Sequence, residues 1–168
     1  MCMAAPGANS SKTNTERPQG EPALRPFPAC NRKAMMTKIL LLEDESSLLT
    51  LMRRMLEPYN LIETTTAEQA LRLFYQNGRQ VDLLVADVTL PTSSGIQVAL
   101  ILRQEIPELP VILTSGYPVD TWGDRNSADL DKLGSKSVAI LAKPFQRRLL
   151  LNAVRELTAT SFQSAGAE

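Results

Sequence analysis

Charged and hydroxyl side chains follow short apolar runs at several points of the chain. Asp87 comes directly after the run at residues 83–86, with Pro91 and Gly95 four and eight residues further on. An unbroken apolar strand is typical of a parallel sheet, and open α/β sheets place their ligand sites at the carboxyl ends of strands. Proline and glycine shape the turn that follows. The pattern predicts a carboxylate held at a sheet edge.

Four further side chains are expected at the same edge. Glu43 and Asp44 follow the first apolar run, Ser115 follows the fourth, and Lys143 follows the fifth. Three neighbouring carboxylates repel one another unless a cation neutralises them, and an all-oxygen ligand set suits Mg²⁺. A hydroxyl and an ammonium are donors to phosphate oxygens, and a carboxylate can act as a nucleophile. These residues predict Mg²⁺-assisted phosphoryl transfer onto an aspartate.

The elements that must position these side chains can be predicted from the apolar periodicity. Strands are expected at residues 37–42, 61–65, 83–86, 110–114 and 138–142. A first helix is expected to follow a cap at Ser46 or Ser47 and to end at Pro58, and further helices are expected at residues 67–77, 94–106, 127–133 and 146–159. This alternation favours an α/β fold, a five-stranded parallel sheet with helices on both faces. The flavodoxin-like strand order 2-1-3-4-5 is one such arrangement, and alternation alone does not fix the order.

Composition limits the function classes. The formal net charge is zero, which gives no global attraction to nucleic acid or to a membrane. Two cysteines and no apolar run of about 20 residues indicate a reducing, cytoplasmic protein without a membrane partner. The sequence has no histidine, which excludes a Ser-His-Asp triad, a histidine metal site and a phospho-histidine relay within this chain.

The chain divides into three expected parts. Residues 1–35 hold five of the eleven prolines and no Ile or Val, and are predicted to be a disordered N-terminal extension. Residues 36–160 are the folded domain, and residues 161–168 a flexible C-terminal tail. The extension is basic, which allows a regulatory arm, but an extension without a specific role is the favoured interpretation.

In their order along the chain, these motifs resemble those of the receiver domain of two-component response regulators. The resemblance rests on Glu43-Asp44, Asp87 with Pro91 and Gly95, Ser115-Gly116, and Lys143-Pro144-Phe145. Each motif alone is weak, but their succession at the ends of four of the five predicted strands is specific.

The resemblance implies a role for each residue. Asp87 would accept a phosphoryl group from a sensor histidine kinase, a phosphotransfer protein or a small phosphodonor. Ser115 would hydrogen-bond that group, and Lys143, joined to Pro144 by a cis bond, would pair with its oxygens. The implied Mg²⁺ ligands are Glu43, Asp44, Asp87 and the backbone carbonyl of Thr89.

Two features depart from the family pattern. Ile140 stands where the family usually has Phe or Tyr, the ring that reports phosphorylation. Residues 117–136 are longer than usual and contain Tyr117, Trp122 and an acidic cluster of Asp124, Asp129 and Asp131. A surface loop with solvated acids and Trp122 over the sheet edge is favoured over a partner-specific surface. In the family, residues at the positions of Thr89 and Tyr117 tune dephosphorylation.

The expected function is a stand-alone receiver, a phosphoacceptor rather than an enzyme, that signals through an unknown downstream protein and does not bind nucleic acid directly. A receiver-shaped binding module that is never phosphorylated is the alternative, supported by Ile140. A hydrolase of the haloacid-dehalogenase type is a remote alternative, because Thr89 stands where that family has its second aspartate.

Overall fold

The computed structural model describes residues 36–164, with side chains up to residue 159. The strands are β1 Lys38–Leu42, β2 Asn60–Thr64, β3 Leu83–Asp87, β4 Val111–Ser115 and β5 Val138–Ala142. The helices are α1 Ser46–Met55, α2 Ala67–Gln76, α3 Gly95–Glu105, α4 Asp124–Leu133 and α5 Arg147–Ser164. The predicted extension lies outside the described residues, as do residues 165–168 of the predicted tail.

All four strand pairings are parallel, and the strand order is β2-β1-β3-β4-β5. The predicted α/β fold with the flavodoxin-like order is therefore confirmed. β3 is the central strand, and all five of its residues are buried. Because every strand runs in the same direction, the five carboxyl ends meet at one edge of the sheet.

Two apolar cores cover the two faces of the sheet, since successive strand side chains point to opposite sides. Leu40 and Leu42 of β1 pack into one core with α2, α3 and α4, which contribute Phe74, Leu102 and Leu133. Ile39 and Leu41 pack into the other core with α1 and α5, which contribute the following side chains: Met52, Leu150 and Val154. The helices thus lie on both faces, as predicted.

Some helix boundaries differ from those predicted. Ser46 is already the first residue of α1, and Glu45 precedes it without a side-chain cap. The predicted serine cap is therefore wrong, and the Ser47 hydroxyl instead donates to the Glu45 carboxylate. α5 continues past its predicted end to Ser164. Within residues 36–164, no helix is both long enough and apolar enough to cross a bilayer.

The stretch before α4 differs most from its prediction. A 3₁₀ turn at Val119–Thr121 leads into α4, which begins at Asp124 rather than at Ser127. The first four residues of α4 are polar, so the apolar period that would reveal its start is missing. The predicted stop is confirmed, because Gly134 follows the helix with a φ of +74°, a left-handed conformation that suits glycine.

Candidate functional site

The ends of three strands bring two carboxylates and one ammonium into direct contact. Glu43 follows β1, Asp87 ends β3, and Lys143 follows β5. The Lys143 Nζ atom donates to Glu43 Oε2 and to Asp87 Oδ2, each over 2.7 Å. The sheet thus places side chains from distant parts of the sequence in one hydrogen-bonded group.

This group is buried, and burial changes its protonation chemistry. The side chains of Glu43, Asp87 and Lys143 are 1%, 10% and 17% exposed. Burial raises the pKa of Glu43, although the hydrogen bond and charge of Lys143 oppose the rise. Burial alone would lower the pKa of Lys143, but its hydrogen bonds and attraction to Asp87 and Glu43 outweigh burial and the pKa is raised. Lys143 therefore stays charged at neutral pH.

An acidic cluster occupies the same edge. Carboxylate oxygens of Glu43, Asp44 and Asp87 lie within 4.8 Å of one another, and Asp44 is exposed while the other two residues are buried. Mg²⁺ prefers oxygen ligands and keeps several waters, which suits three carboxylates with one solvent-facing side. The donor set therefore fits Mg²⁺.

The loop after β3 fixes Asp87 through its backbone. The Thr89 amide donates to Asp87 Oδ1 over 3.0 Å, and the Ser94 hydroxyl caps α3 by accepting from the Ile96 amide. Gly95 starts that helix directly against β3, since a Cβ added there would lie 2.2 Å from the Asp87 carbonyl oxygen. This close approach gives the predicted Gly95 a packing role. The metal-binding role of the Thr89 carbonyl stays a prediction.

The Ser115 hydroxyl forms two hydrogen bonds with the backbone of the loop that follows β4. It donates to the Tyr117 carbonyl oxygen over 2.9 Å and accepts from the Tyr117 amide over 3.0 Å. The Ser115 carbonyl accepts from the Lys143 amide over 2.7 Å, which joins the ends of β4 and β5. The Lys143–Pro144 bond is cis, as predicted.

The two departures from the family pattern lie side by side. Ile140 is 38% exposed on β5 and lines a groove of about 480 Å³ with Leu130 of α4 and Val138. Trp122 is 8% exposed and packs into the core on the α4 face of the sheet. Asp129 is buried and accepts from Lys132 over 2.9 Å, so the prediction of solvated acids is wrong at this position.

Sequence reasoning missed the hydrogen bonds that two side chains donate to backbone carbonyls. The Trp122 indole Nε1 donates to the Tyr117 carbonyl over 3.2 Å, next to Ser115. Arg103 of α3 donates to the carbonyls of Leu109, Leu133, Lys136 and Ser137. No motif marks either residue, because carbonyl acceptors depend on the fold and not on residue type.

Comparisons with known proteins agree with this geometry. A family model described as response regulator receiver domain matches residues 39–155. The sensor kinase CckA of Brucella abortus is 31% identical over 121 residues, which cover 71% of this chain and 12% of the kinase. The transcriptional regulatory protein CpxR of Escherichia coli is 34% identical over 134 residues, covering 77% of this chain and 52% of that protein. The chain thus spans about half or less of these relatives.

Solved structures show the same fold. The signal receiver domain of an HD domain-containing protein from Pseudomonas fluorescens has a TM-score of 0.66 at 26% identity, covering 79% of this chain and 93% of that one. The response regulator TrrA from Thermotoga maritima, in complex with Mg²⁺ and BeF, has a TM-score of 0.59 at 27% identity. That alignment covers 73% of this chain and 99% of TrrA.

Proposed function

The chain belongs to the response regulator receiver domain family, and from this premise we propose that Asp87 is its phosphoacceptor. The phosphoryl group would come from a sensor histidine kinase or a phosphotransfer protein. The observation that supports this most is the double contact of Lys143 Nζ with Glu43 and Asp87. It places a cation directly beside the carboxylate that would receive the phosphoryl group.

In the proposed reaction, a carboxylate oxygen of Asp87 attacks the phosphorus of a phospho-histidine. An O–P bond forms, the P–N bond breaks, and the electron pair passes to the imidazole nitrogen, which takes a proton. The Thr89 amide and Lys143 hold the two Asp87 oxygens, so the nucleophile is oriented before the donor arrives. Lys143 then offsets the negative charge of the phosphoryl oxygens.

Glu43, Asp44 and Asp87, with the Thr89 carbonyl, would hold Mg²⁺ in this proposal. When bound, Mg²⁺ neutralises negative charge between the acidic cluster and the phosphoryl oxygens. The fit of the cluster supports this assignment, and the Mg²⁺ and BeF complex of TrrA lends further support. The Ser115 hydroxyl would donate a hydrogen bond to a phosphoryl oxygen. To do so, the hydroxyl must first break its hydrogen bond to the Tyr117 carbonyl.

The phosphorylated protein would signal in the cytoplasm by binding a downstream protein, without direct contact to nucleic acid or membrane. Phosphorylation would shift the population between two surface states. In this proposal residues 36–160 form the switch, and residues 1–35 have no specific role in it.

The proposal is tested by intact-mass spectrometry after incubation with acetyl phosphate and Mg²⁺. We expect one added phosphoryl group in the unmodified protein and none in Asp87→Asn or without the metal. Calorimetric titration with Mg²⁺ on the same samples reports whether the acidic cluster binds the ion.

The second candidate is a receiver-shaped binding module that is never phosphorylated. The exposed Ile140 and the engagement of Ser115 with Tyr117 favour it. Mg²⁺ binding without phosphoryl uptake would support this module and contradict the switch.

A further inference from the structure

Ser115 and Trp122 meet at a single backbone carbonyl. The Tyr117 carbonyl oxygen accepts from the Ser115 hydroxyl over 2.9 Å and from the Trp122 indole Nε1 over 3.2 Å. A carbonyl oxygen has two lone pairs, and these two donors occupy them. The Tyr117 amide completes the arrangement by donating to Ser115 Oγ over 3.0 Å.

Trp122 is itself firmly held. Its side chain is part of the core on the α4 face of the sheet, and the residue is 8% exposed. Its amide donates to the Val119 carbonyl over 3.1 Å, and its carbonyl accepts from the Ser127 hydroxyl of α4 over 3.3 Å. Tyr117, in contrast, is 64% exposed. The indole therefore fixes the Tyr117 peptide from the protein interior.

We propose that Trp122 is a positioning residue for the phosphoryl transfer, which holds the Tyr117 carbonyl in place as the resting acceptor of the Ser115 hydroxyl. This inference rests on the proposed function of Asp87, and it adds a residue that limits the rate of Asp87 phosphorylation. The hydrogen bonds of Trp122 within the described part of the chain go to Tyr117, Ser127 and Val119, and Trp122 acts through Tyr117 on Ser115.

The direction of the effect follows from the single proton of a serine hydroxyl. Ser115 cannot donate to Tyr117 and to a phosphoryl oxygen at the same time, so the resting bond competes with the active one. Without the indole N–H, the Tyr117 peptide is free to turn and the resting bond weakens. The fraction of molecules with Ser115 available to the phosphoryl group then rises, and the apparent rate rises with that fraction.

The test compares the rate of phosphorylation by acetyl phosphate and Mg²⁺, followed by intact mass, in unmodified protein and in Trp122→Phe. We expect phosphorylation to be about threefold to fivefold faster in the variant, the equivalent of one net hydrogen bond. Trp122 is the only tryptophan of the sequence. Global replacement by benzothienylalanine, which has the same shape without the N–H, therefore gives a second variant that preserves core packing.

Two further variants separate positioning from a general loosening of the loop. In a Ser115→Ala background, removal of the indole N–H should leave the rate unchanged, because no hydroxyl remains to be released. Thr121→Val removes the hydrogen bond from Thr121 Oγ1 to the Pro118 carbonyl, 2.7 Å long, in the same loop. This substitution should leave the phosphorylation rate equal to that of the unmodified protein.

A spectroscopic measurement tests the same link. Mg²⁺ with beryllofluoride, a mimic of the phosphoryl group, should shift the Trp122 emission in the unmodified protein and leave it unshifted in Ser115→Ala. An unchanged or slower rate in both Trp122 variants would overturn the proposal, as would an equal acceleration in the Ser115→Ala background. Absence of phosphoryl uptake in the unmodified protein would instead refute the function of Asp87.

Discussion

The ammonium of Lys143 bridges Glu43 and Asp87, and so partly takes the place of a cation in the acidic cluster. Its positive charge repels an incoming Mg²⁺ and competes for the same oxygens. We expect Lys143→Met to bind Mg²⁺ about threefold or more tightly than the unmodified protein, as measured by calorimetric titration, while losing most phosphoryl uptake.

Lys132→Met is the matched control for this change. Lys132 is 68% exposed and pairs with Asp129 of its own helix, and its loss should not alter Mg²⁺ affinity. Weaker or unchanged Mg²⁺ binding in Lys143→Met would show that the ammonium does not compete with the ion.

Gly95 determines how closely α3 begins to the phosphoacceptor strand. A Cβ at this position would lie 2.2 Å from the Asp87 carbonyl oxygen and 2.8 Å from the Ala86 Cβ. We expect Gly95→Ala to lower the free energy of unfolding by about 2 kcal/mol and to slow phosphoryl uptake, because β3 or α3 must move apart. Urea denaturation measures the first effect.

Gly123→Ala is the comparison for this substitution, since nothing lies within 4 Å of a Cβ added there. Equal stability losses in the two variants would argue against the close approach at Gly95.

At the scale of elements, Arg103 connects α3 to the end of α4 and the loop before β5. Its guanidinium donates to the Leu133 carbonyl over 2.7 Å and to the Leu109 carbonyl over 2.9 Å, and further to the carbonyls of Lys136 and Ser137. We expect Arg103→Met to lower the free energy of unfolding by about 2 kcal/mol, because partly buried carbonyls lose charged donors.

Arg79→Met provides the contrast in the same urea experiment. Arg79 forms a largely exposed ion pair with Glu105, and its removal should cost about 0.5 kcal/mol. Similar losses in the two variants would contradict the assigned role of Arg103.

The ionisation of Asp129 in α4 makes the free energy of unfolding depend on pH. The hydrogen bond from Lys132 is the main cause that holds the pKa of Asp129 below its usual 3.8. The folded state binds a proton on Asp129 more weakly than the unfolded state does. The ionised Asp129 carboxylate therefore stabilises the folded protein above pH 3.8, and this stabilisation is lost as the pH falls through the pKa of the folded state.

Asp129→Asn should therefore lower the free energy of unfolding near neutral pH. The difference from the unmodified protein should shrink as the pH falls below 3.8 and through the lowered pKa of the folded state. A series of urea titrations at different pH values measures it, and a difference that stays constant with pH would contradict this assignment.

The elements differ in how far the sequence determines them. The predicted and observed bounds of β5 are the same, and the sequence predicts Asp87 and Lys143 at one edge because alternating apolar segments favour a parallel sheet. The start of α4 and the resting bond of Ser115 were not predictable in this way. The first residues of α4 are polar and carry no apolar period, and the resting bond of Ser115 is made to a backbone carbonyl, which no residue type reveals.

For the whole molecule, the folded unit should be independent of the N-terminal extension. We expect deletion of residues 1–35 to leave phosphoryl uptake unchanged and the free energy of unfolding within about 0.5 kcal/mol. Deletion of residues 1–38 is the control, since it removes Lys38, whose backbone amide donates to the Asp82 carboxylate over 2.7 Å. Loss of uptake after the shorter deletion would assign the extension a role.

The last strand of the sheet has a consequence for handling the protein. β5 reads Val-Ala-Ile-Leu-Ala, without a charge, and within residues 36–164 it pairs only with β4. An apolar strand with one unpaired edge is a template for strands of other molecules, and flanking lysines such as the exposed Lys136 oppose such pairing. Concentrated or partly unfolded samples are therefore expected to self-associate first along this edge.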